Sequence, residues 1–290
     1  FKNGPGAHFY KPGYEFGHEM ISRIVEVGSE VKDLYVGQRV YPFGGFAKPR
    51  SIGGVSGFSE YMHLPDAKLG YGIIPIPDEI SDKVAALIEP FQIGTKAARL
   101  GEPKEDKGAV VFGAGIIGIT AAFALKQMGC KEVMVCDIVD NRLNVVQDFG
   151  FIVCNTAHED LREKGKHVFG ENKMAGKDSF NADIFIDATG VKAIPETFQK
   201  IAKFGAVLVV VGVHGEPRPI DLKLITYSQH RIQGSAGYDH IDIPIVFEIL
   251  KQNGKKLERL ITHEFCQADL QEAIIQAAKS NEAMKVMIKF

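Results

Sequence analysis

The chain has 290 residues, which is long enough for two domains that each bury a core of their own. Its 45% hydrophobic and 24% charged residues are ordinary for a soluble globular protein, and a formal net charge of -2 argues against a nucleic-acid partner. No apolar run approaches the ~20 residues that span a bilayer, so we expect no membrane partner.

The four cysteines stand in or beside apolar segments and show no paired spacing: Cys130, Cys136, Cys154 and Cys266. This pattern favours buried free thiols over disulfides, and free thiols persist in a reducing compartment. We therefore expect a cytoplasmic protein. Because the chain opens on Phe1 rather than on Met, we also expect further residues ahead of it in the natural protein.

The first region, residues 1-92, consists of short β segments separated by Gly and Pro. Partial alternation and turn residues predict strands in ISRIVEVG, GQRVYPF and GFSEYMHLP. Together they predict a small barrel or an irregular β domain.

The central region, residues 93-237, alternates apolar strands with helices and indicates the α/β class. GAVVFGAGIIGITAAFALKQMG predicts a strand, a Gly turn and a helix, and further strands are predicted in KEVMVCD, FIVCN, NADIFIDATG, GAVLVVVGVHG and HRIQGSAGY. Such continuous apolar strands predict a doubly wound parallel sheet with both faces covered. The tail, residues 238-290, returns to mixed character, with helices near 241-252 and in ADLQEAIIQAAKS and strands in ITHEF and KVMIKF.

The stretch VVFGAGIIG has the G-x-G-x-x-G spacing at Gly113, Gly115 and Gly118. It follows an apolar strand and opens a helix, which is the context that a dinucleotide site requires. The glycines permit a tight turn, the approach of a pyrophosphate and close packing of the helix, whose N-terminal N–H groups attract phosphate.

Asp137 ends the next strand, about 20 residues further on. A carboxylate at this place accepts hydrogen bonds from ribose hydroxyls and repels a 2′-phosphate, so NAD is favoured over NADP. The alternative is a Gly-rich turn that only packs, with Asp137 as a solvated strand end.

His18 and Glu19 follow a glycine and precede a predicted strand in PGYEFGHEMISRIVEVGSEV. Imidazole and carboxylate are both zinc ligands, and a catalytic zinc takes three protein ligands and keeps one open position. Glu89 in LIEPF is a carboxylate in an apolar run, where burial is costly without a metal or a basic partner. The alternatives are a hydrogen-bonded histidine, an exposed strand charge and a helix-end residue.

The order of these motifs resembles the zinc-dependent medium-chain dehydrogenase/reductase superfamily: GHEMISRIVEVGSEV, GQRVYPF, GFSEYMHLP, AALIEPF, GAGIIG, CD, DATG, VVVGV, IQGSAGY and LITHEF. AALIEPF looks most like the sorbitol (polyol) and threonine dehydrogenase branch. The resemblance implies a GroES-like β domain built from residues 1-92 and 238-290, with a Rossmann domain at 93-237 between its two parts.

The resemblance also implies roles for single residues. His18 would ligate the catalytic zinc, Glu19 would be a ligand or exchange with water, and Glu89 would lie at the zinc as a ligand or through its water. The NAD-binding residues would be Gly113, Gly115, Ile116, Ile117, Gly118, Asp137, Arg142, Val211, Gly212, Val213, Ser235 and Ala236. Tyr238 matches a tyrosine that polyol dehydrogenases use near the substrate.

Three departures from the family pattern stand out. The family's first zinc ligand is a cysteine, which by this alignment would precede Phe1. The family's structural zinc needs four clustered cysteines between RVYPF and GFSEY, and none stands there, so we expect one catalytic zinc and no structural zinc. Gly237 occupies a place where polyol dehydrogenases often have Arg, which puts a sorbitol-like substrate in doubt.

The expected activity is hydride transfer between NAD(H) and a secondary alcohol or polyol, in a homodimer or homotetramer as the resemblance implies. Two alternatives stay open: a zinc-free reductase of quinones or enones on the same fold, and a catalytically silent member that still binds NAD. His214, which follows the expected nicotinamide strand, is interpreted as a solvated loop histidine.

Overall fold

The computed structural model describes residues 17–43, 57–65, 68–70, 72–174, 177–279 and 281–290. The chain divides into two compact units, Phe1–Pro90 with Val246–Phe290, and Phe91–Ile245. The sequence placed the corresponding divisions after residues 92 and 237, and the functional roles of those domains stay a prediction. No helix in the described part of the chain is long and apolar enough to cross a membrane.

The first unit contains two small sheets. Strands β1 (Ser22–Arg23), β2 (Arg39–Pro42) and β3 (Ile73–Pro75) form an antiparallel sheet in that order. Strands β12 (Ile261–Cys266) and β13 (Lys285–Lys289) pair in parallel. The helices of this unit are α1 (Asp82–Ala85), the start of α2 (Ile88–Leu100), most of α8 (Ile243–Leu257), and α9 (Leu270–Ala277) between β12 and β13.

Two strands predicted in this unit are shorter or absent. Within ISRIVEVG only Ser22 and Arg23 form a strand, because only these two residues pair with β2. The stretch GFSEYMHLP forms turns and irregular structure over its described residues, 57–65. Alternating polarity therefore marked segments that could form strands, whereas hydrogen bonding to a neighbouring strand decided which of them did.

The second unit is built on a six-stranded parallel sheet in the order β11-β10-β9-β4-β5-β6. The strands are β4 (Gly108–Phe112), β5 (Glu132–Asp137), β6 (Ile152–Asn155), β9 (Ala182–Asp187), β10 (Val207–Val210) and β11 (Arg231–Gly234). The helices between them are α3 (Ile116–Gln127), α4 (Asp140–Asp148), α5 (Leu161–Phe169), α6 (Ile194–Ile201) and α7 (Leu222–Ser228). This confirms the predicted α/β class and its Rossmann arrangement.

Burial explains why the central strands are continuously apolar. All five residues of β4 are buried, and Val133, Met134, Val135 and Cys136 in β5 are buried as well. A strand with helices on both faces has no solvent side, so it lacks alternation. The strand order reverses between β4 and β9, which is the place where ligands bind in sheets of this type.

One element of the second unit was missed. Strands β7 (Glu171–Met174) and β8 (Lys177–Phe180) form an antiparallel hairpin. Their sequences, ENKM and KDSF, are mostly polar and lack apolar alternation, so nothing in them indicated a strand.

Candidate functional site

His18 and Glu19 follow a turn that requires glycine. Gly17 has a φ of +92°, and a Cβ atom on it would lie 2.6 Å from Cδ2 of the Phe58 ring. The N–H of Gly57 donates to the carbonyl oxygen of Gly17 at 2.9 Å, and a Cβ on Gly57 would lie 3.2 Å from the His18 nitrogen. The two glycines thus let their two backbone segments approach closely, and this contact fixes the position of the His18 backbone.

His18, Glu19 and Glu89 lie together in the first unit. Each offers one ligand atom, and these atoms all lie within 4.8 Å of one another. The His18 Nε2 atom is 3.5 Å from the Glu89 Oε1 atom. Two donors about 2.1 Å from a tetrahedral zinc are about 3.4 Å apart, so this pair has a separation that fits zinc.

Glu89 is the most enclosed member of the cluster. Its side chain is 5% exposed and it lies in the first turn of α2. The preceding residues Leu87 and Ile88 are fully buried and anchor this end of the helix. The N-terminal turn of a helix favours a negative charge, and the nearby imidazole of His18 supplies a polar partner or a shared metal position.

Lys285 adds a positive charge beside the cluster. Its Nζ atom forms an ion pair with the Glu19 carboxylate, and its side chain is 16% exposed. Burial lowers the pKa of the Lys285 ammonium to about 8, while contact with the Glu19 carboxylate favours the protonated form. The sequence analysis missed this residue, because 266 positions separate it from Glu19 and no local motif marks it.

The turn from Gly113 to Gly118 in the second unit is the candidate phosphate-binding turn. Gly113 follows β4 with a φ of +103°. A Cβ on Gly118 would approach the Gly113 carbonyl oxygen far more closely than the 3.0 Å that real Cβ atoms respect. Among the described residues, a Cβ on Gly115 would meet only the Nη1 atom of Arg142, at 3.9 Å. The first and third glycines are therefore required by packing, while the second leaves space beside a guanidinium group.

The turn leads directly into α3, whose N-cap is Gly115. Ile116 and Ile117 open this helix, so their N–H groups belong to the first turn, where no intrahelical acceptor exists. These groups, the helix dipole and Arg142 all favour an anion at the same place. The geometry fits the pyrophosphate of a dinucleotide.

Asp137 ends β5 and is held by backbone N–H groups. Its Oδ2 atom accepts from the Ala114 N–H at 2.6 Å, and its Oδ1 atom accepts from the N–H groups of Ile138 and Val139 at 2.7 and 3.0 Å. Each carboxylate oxygen has two lone pairs, so Oδ1 is filled and Oδ2 keeps acceptor capacity for one ribose hydroxyl. This carboxylate is not a solvated strand end, because it accepts hydrogen bonds both from the turn after β4 and from the turn after β5.

Val211, Gly212 and Val213 follow β10 and pack on the turn after β9. The N–H groups of Val211 and Gly212 both donate to the Asp187 carbonyl oxygen, at 3.0 and 2.7 Å. A Cβ on Gly212 would collide with the Gly190 nitrogen, so only glycine fits there. Val213 itself is exposed, as a residue available to a ligand would be.

Ser235 and Ala236 follow β11 in the same unit. The Ser235 N–H donates to the Val210 carbonyl oxygen at 2.9 Å, whereas its buried Oγ atom has no hydrogen-bond partner among the described residues. Buried hydroxyl groups are normally paired, so this atom is consistent with a position that a bound ligand completes. The Ala236 carbonyl oxygen accepts from Lys96 Nζ at 2.8 Å. Tyr238, further along this loop, is half-buried, and its substrate role stays a prediction.

His214 differs from its interpretation as a solvated loop residue. Its Nε2 atom lies 2.8 Å from the Oδ2 atom of Asp187, which is 0% exposed. The other oxygen of Asp187 accepts from the N–H groups of Thr189 and Gly190 and from the Thr189 hydroxyl. The interpretation was wrong because the loop after β10 returns to the end of β9, where a buried carboxylate needs a polar partner. The motif DATG at a strand end was the available signal.

The cysteines agree with the prediction in part. Cys130, Cys136 and Cys154 are free and buried, whereas Cys266 is free and exposed, with its Sγ atom 2.8 Å from Asp269 Oδ2. Burial raises the pKa of the Cys130 thiol to about 11. The metal cluster formed by described residues includes none of the four. The loop where the family's structural zinc would lie, residues 44–56, is outside the described residues.

Two family models match the chain, and their matches fall in both units. The model described as zinc-binding dehydrogenase matches residues 117–252, and the model described as alcohol dehydrogenase GroES-like domain matches residues 3–78. The chain belongs to the medium-chain dehydrogenase/reductase superfamily. The resemblance that the motif order indicated is thereby confirmed, and so is the combination of a Rossmann sheet with a GroES-like domain.

Curated members of this superfamily match over most of their length. L-threonine 3-dehydrogenase from Burkholderia vietnamiensis is 28% identical over 94% of this chain and 81% of its own. L-threonine 3-dehydrogenase from Anaeromyxobacter sp. strain K is 27% identical over 94% of this chain and 80% of its own.

Solved structures have the same fold. One is a short chain alcohol dehydrogenase from E. coli CFT073 complexed with NADH, with 27% identity and a TM-score of 0.80 over 95% of this chain and 83% of that one. Another is 2R,3R-butanediol dehydrogenase from Bacillus subtilis, with 23% identity and a TM-score of 0.80 over 97% of this chain and 82% of that one.

Proposed function

We propose that this member of the superfamily is a zinc-dependent dehydrogenase that transfers a hydride between NAD(H) and a secondary alcohol or polyol. The observation that carries the proposal is the cluster of His18, Glu19 and Glu89, whose ligand atoms lie within 4.8 Å of one another. Relatives named as threonine and butanediol dehydrogenases support a secondary alcohol as the substrate class.

Each part of the reaction has residues suited to it. When bound, zinc supplies Lewis acidity toward a substrate hydroxyl, and the nicotinamide ring accepts a hydride. His18 and Glu89 hold the metal position, because their donor atoms already have the separation that zinc requires. The amides of Ile116 and Ile117 would hold the pyrophosphate, and Val211, Gly212 and Val213, together with the buried and unpaired Ser235 hydroxyl, would line the nicotinamide position.

NAD rather than NADP is the proposed cofactor. Asp137 places a carboxylate at the end of β5, where the adenosine ribose of such a cofactor would lie, and a 2′-phosphate would be repelled there. Arg142, whose Nη1 atom would lie 3.9 Å from a Cβ on Gly115, is proposed to hold the adenosine ribose together with Asp137.

A homodimer or homotetramer in the cytoplasm completes the proposal. Strand β11 lies at the edge of the six-stranded sheet and all four of its residues are exposed. An exposed edge strand offers unpaired backbone groups to a second copy of the chain. Size-exclusion chromatography with light scattering measures the mass, and a monomer at micromolar concentration would contradict this part.

The first experiment measures zinc per chain by mass spectrometry in protein expressed from its complete natural reading frame. We expect about one zinc, lost in His18→Ala and retained in the matched control His63→Ala, because His63 is exposed and outside the cluster. NADH formation is then followed with secondary alcohols, polyols and L-threonine.

The outcomes separate the alternatives. A wild-type protein that lacks zinc and reduces quinones or enones would support the zinc-free reductase instead. A protein that binds zinc and NADH but oxidises no alcohol in the panel would point to a catalytically silent member.

A further inference from the structure

Two basic side chains of helix α2 reach the segment that follows β11. This segment, residues 235–242, joins β11 to α8 and begins with Ser235 and Ala236. Lys96 and Arg99 lie three positions apart on α2, and so on the same face of that helix. All of these residues belong to the second unit. Helix α2 therefore offers two neighbouring cations to one segment of the chain.

Arg99 anchors the far end of this segment. Its Nε and Nη2 atoms donate to the two carboxylate oxygens of Asp242 at 2.7 and 3.0 Å, and Nη2 also donates to Asp239 at 2.7 Å. Asp242 is fully buried, and a guanidinium fork matches a carboxylate through two parallel hydrogen bonds. Because a buried charge is costly without its partner, loss of Arg99 should lower the stability of the protein. Arg99 thus has a structural role.

Lys96 contacts the segment closer to Ser235. Its Nζ atom donates to the carbonyl oxygen of Ala236 at 2.8 Å and to the Oδ1 atom of Asp239 at 3.3 Å. The peptide that joins Ala236 to Gly237 is planar and trans, so its N–H points away from Lys96 when its carbonyl oxygen points toward Lys96. Gly237 has a φ of +62°, and a Cβ on it would meet no atom of the described residues within 4 Å. Lys96 therefore supplies an orienting contact that packing around Gly237 does not replace.

The start of the same segment is suited to a ligand. The buried Oγ atom of Ser235 has no hydrogen-bond partner among the described residues, although buried hydroxyl groups are normally paired. The Ser235 N–H donates to the carbonyl oxygen of Val210, which ends β10. The carboxyl ends of parallel strands are where sheets of this type bind ligands. Ser235 is thus held by the sheet, and Ala236, the next residue, is held by Lys96.

We propose that Lys96 is a positioning residue for the cofactor: by binding the Ala236 carbonyl oxygen it fixes the backbone after Ser235 and so positions the nicotinamide end of NAD(H). This inference rests on the NAD site of the proposed function. The other end of the cofactor is assigned to the turn from Gly113 to Gly118 and to Asp137, which Lys96 does not contact. Lys96 should therefore act on one end of the cofactor and not on the other.

ADP-ribose tests this division, because it has the adenosine and the pyrophosphate but lacks the nicotinamide ring. Dissociation constants are measured in the full natural chain, for NADH from its fluorescence and for ADP-ribose by displacement of NADH. We expect Lys96→Met to weaken NADH binding about tenfold and to leave ADP-ribose binding within about twofold of wild type, since one hydrogen bond from a charged donor is lost. The matched control Lys200→Met removes an exposed lysine that pairs with Glu196 on α6, and it should change neither constant.

Asp239→Asn separates the two contacts of Lys96. It removes the partly exposed carboxylate and leaves the bond to the Ala236 carbonyl oxygen, so NADH affinity should stay within about threefold of wild type. A loss of NADH affinity as large as that expected for Lys96→Met would show that the ion pair holds the segment, and it would overturn the role given to the carbonyl contact. Urea denaturation checks that each variant is folded. Lys96→Met should unfold near the wild-type midpoint, whereas Arg99→Met, which leaves Asp242 buried without its partner, should unfold earlier.

Failure of this inference differs from failure of the proposed function. Equal losses of affinity for NADH and ADP-ribose in a folded Lys96→Met protein would show a general structural role, and unchanged constants would show no role; either result would overturn the inference. Wild-type protein that binds neither compound would overturn both the inference and the proposed function. Protein that binds NADH but lacks zinc, or that oxidises no alcohol, would overturn only the proposed function, because both constants are measured without an alcohol.

Discussion

The phosphate-binding turn and the candidate metal cluster differ in how far apart their residues stand in the sequence. The turn draws on the stretch from Gly113 to Gly118, and backbone groups and open space do most of its work. The cluster joins His18 and Glu19 to Glu89 and, through Glu19, to Lys285, 266 positions away. A site made from local backbone tolerates changes in side chains but not in glycines, whereas a site made from distant side chains depends on each of them.

The largest effect is expected in the turn, with Gly118→Ala. A Cβ there would collide with the Gly113 carbonyl oxygen, and forced overpacking of backbone costs roughly 3 kcal/mol or more. Urea denaturation should show this loss, together with loss of NADH binding. In the control Gly115→Ala, stability should stay within about 1 kcal/mol, since φ is -79° and little lies near the new atom. Equal destabilisation by both variants would contradict the assigned roles of the two glycines.

In the cluster, Glu89→Gln should reduce zinc affinity by at least about 100-fold. A lost ligand should cost more than the 10- to 100-fold that follows from loss of an outer-shell partner. Chelator competition measures it, and Glu79→Gln, an exposed carboxylate elsewhere in the unit, is the control. If Glu89→Gln bound zinc like wild type, Glu89 would not be a ligand and the metal site would not join residues distant in the sequence.

His214→Ala tests whether the second unit also depends on a distant side chain. The change leaves the Oδ2 atom of buried Asp187 without its 2.8 Å partner, at a cost of about 1–3 kcal/mol. Combining it with Asp187→Asn should cost less than the sum of the single variants, which a double-mutant cycle measures by denaturation. His158→Ala, at an exposed position, serves as the control. Strict additivity would show that the pair contributes nothing as a unit.

The smallest effect is expected for Asp137→Asn. Asparagine keeps an oxygen that accepts from the N–H groups of Ile138 and Val139, but it removes the negative charge and replaces the acceptor of the Ala114 N–H by an NH2 group. We expect the preference for NADH over NADPH to fall about tenfold, or ~1.4 kcal/mol, in fluorescence titrations. An unchanged preference for NADH over NADPH would mean that Asp137 only accepts hydrogen bonds from the two turns and does not select the cofactor.

Prediction from sequence succeeded where the physical cause is local. The strand, glycine turn and helix from Gly108 to Gln127 follow from burial on both faces and from steric limits on three glycines. The first unit was harder, because ISRIVEVG contributes a strand of only two residues and GFSEYMHLP contributes none over its described residues. In the polar β7–β8 hairpin, the two strands pair although neither sequence has the apolar alternation that predicts a strand.

The sequence by itself determined the α/β class, the dinucleotide turn and the identity of three residues suited to a metal. Those properties depend on residue type, on spacing along the chain and on the burial that apolar runs predict, and all three can be read from the sequence. Only the tertiary structure decided that His18 and Glu89 lie 3.5 Å apart and that Lys285 forms an ion pair with Glu19. It also decided that His214 is hydrogen-bonded to Asp187 and not solvated. These contacts join residues far apart in the chain, and electrostatic pairing acts on distance in space, which sequence separation does not reveal.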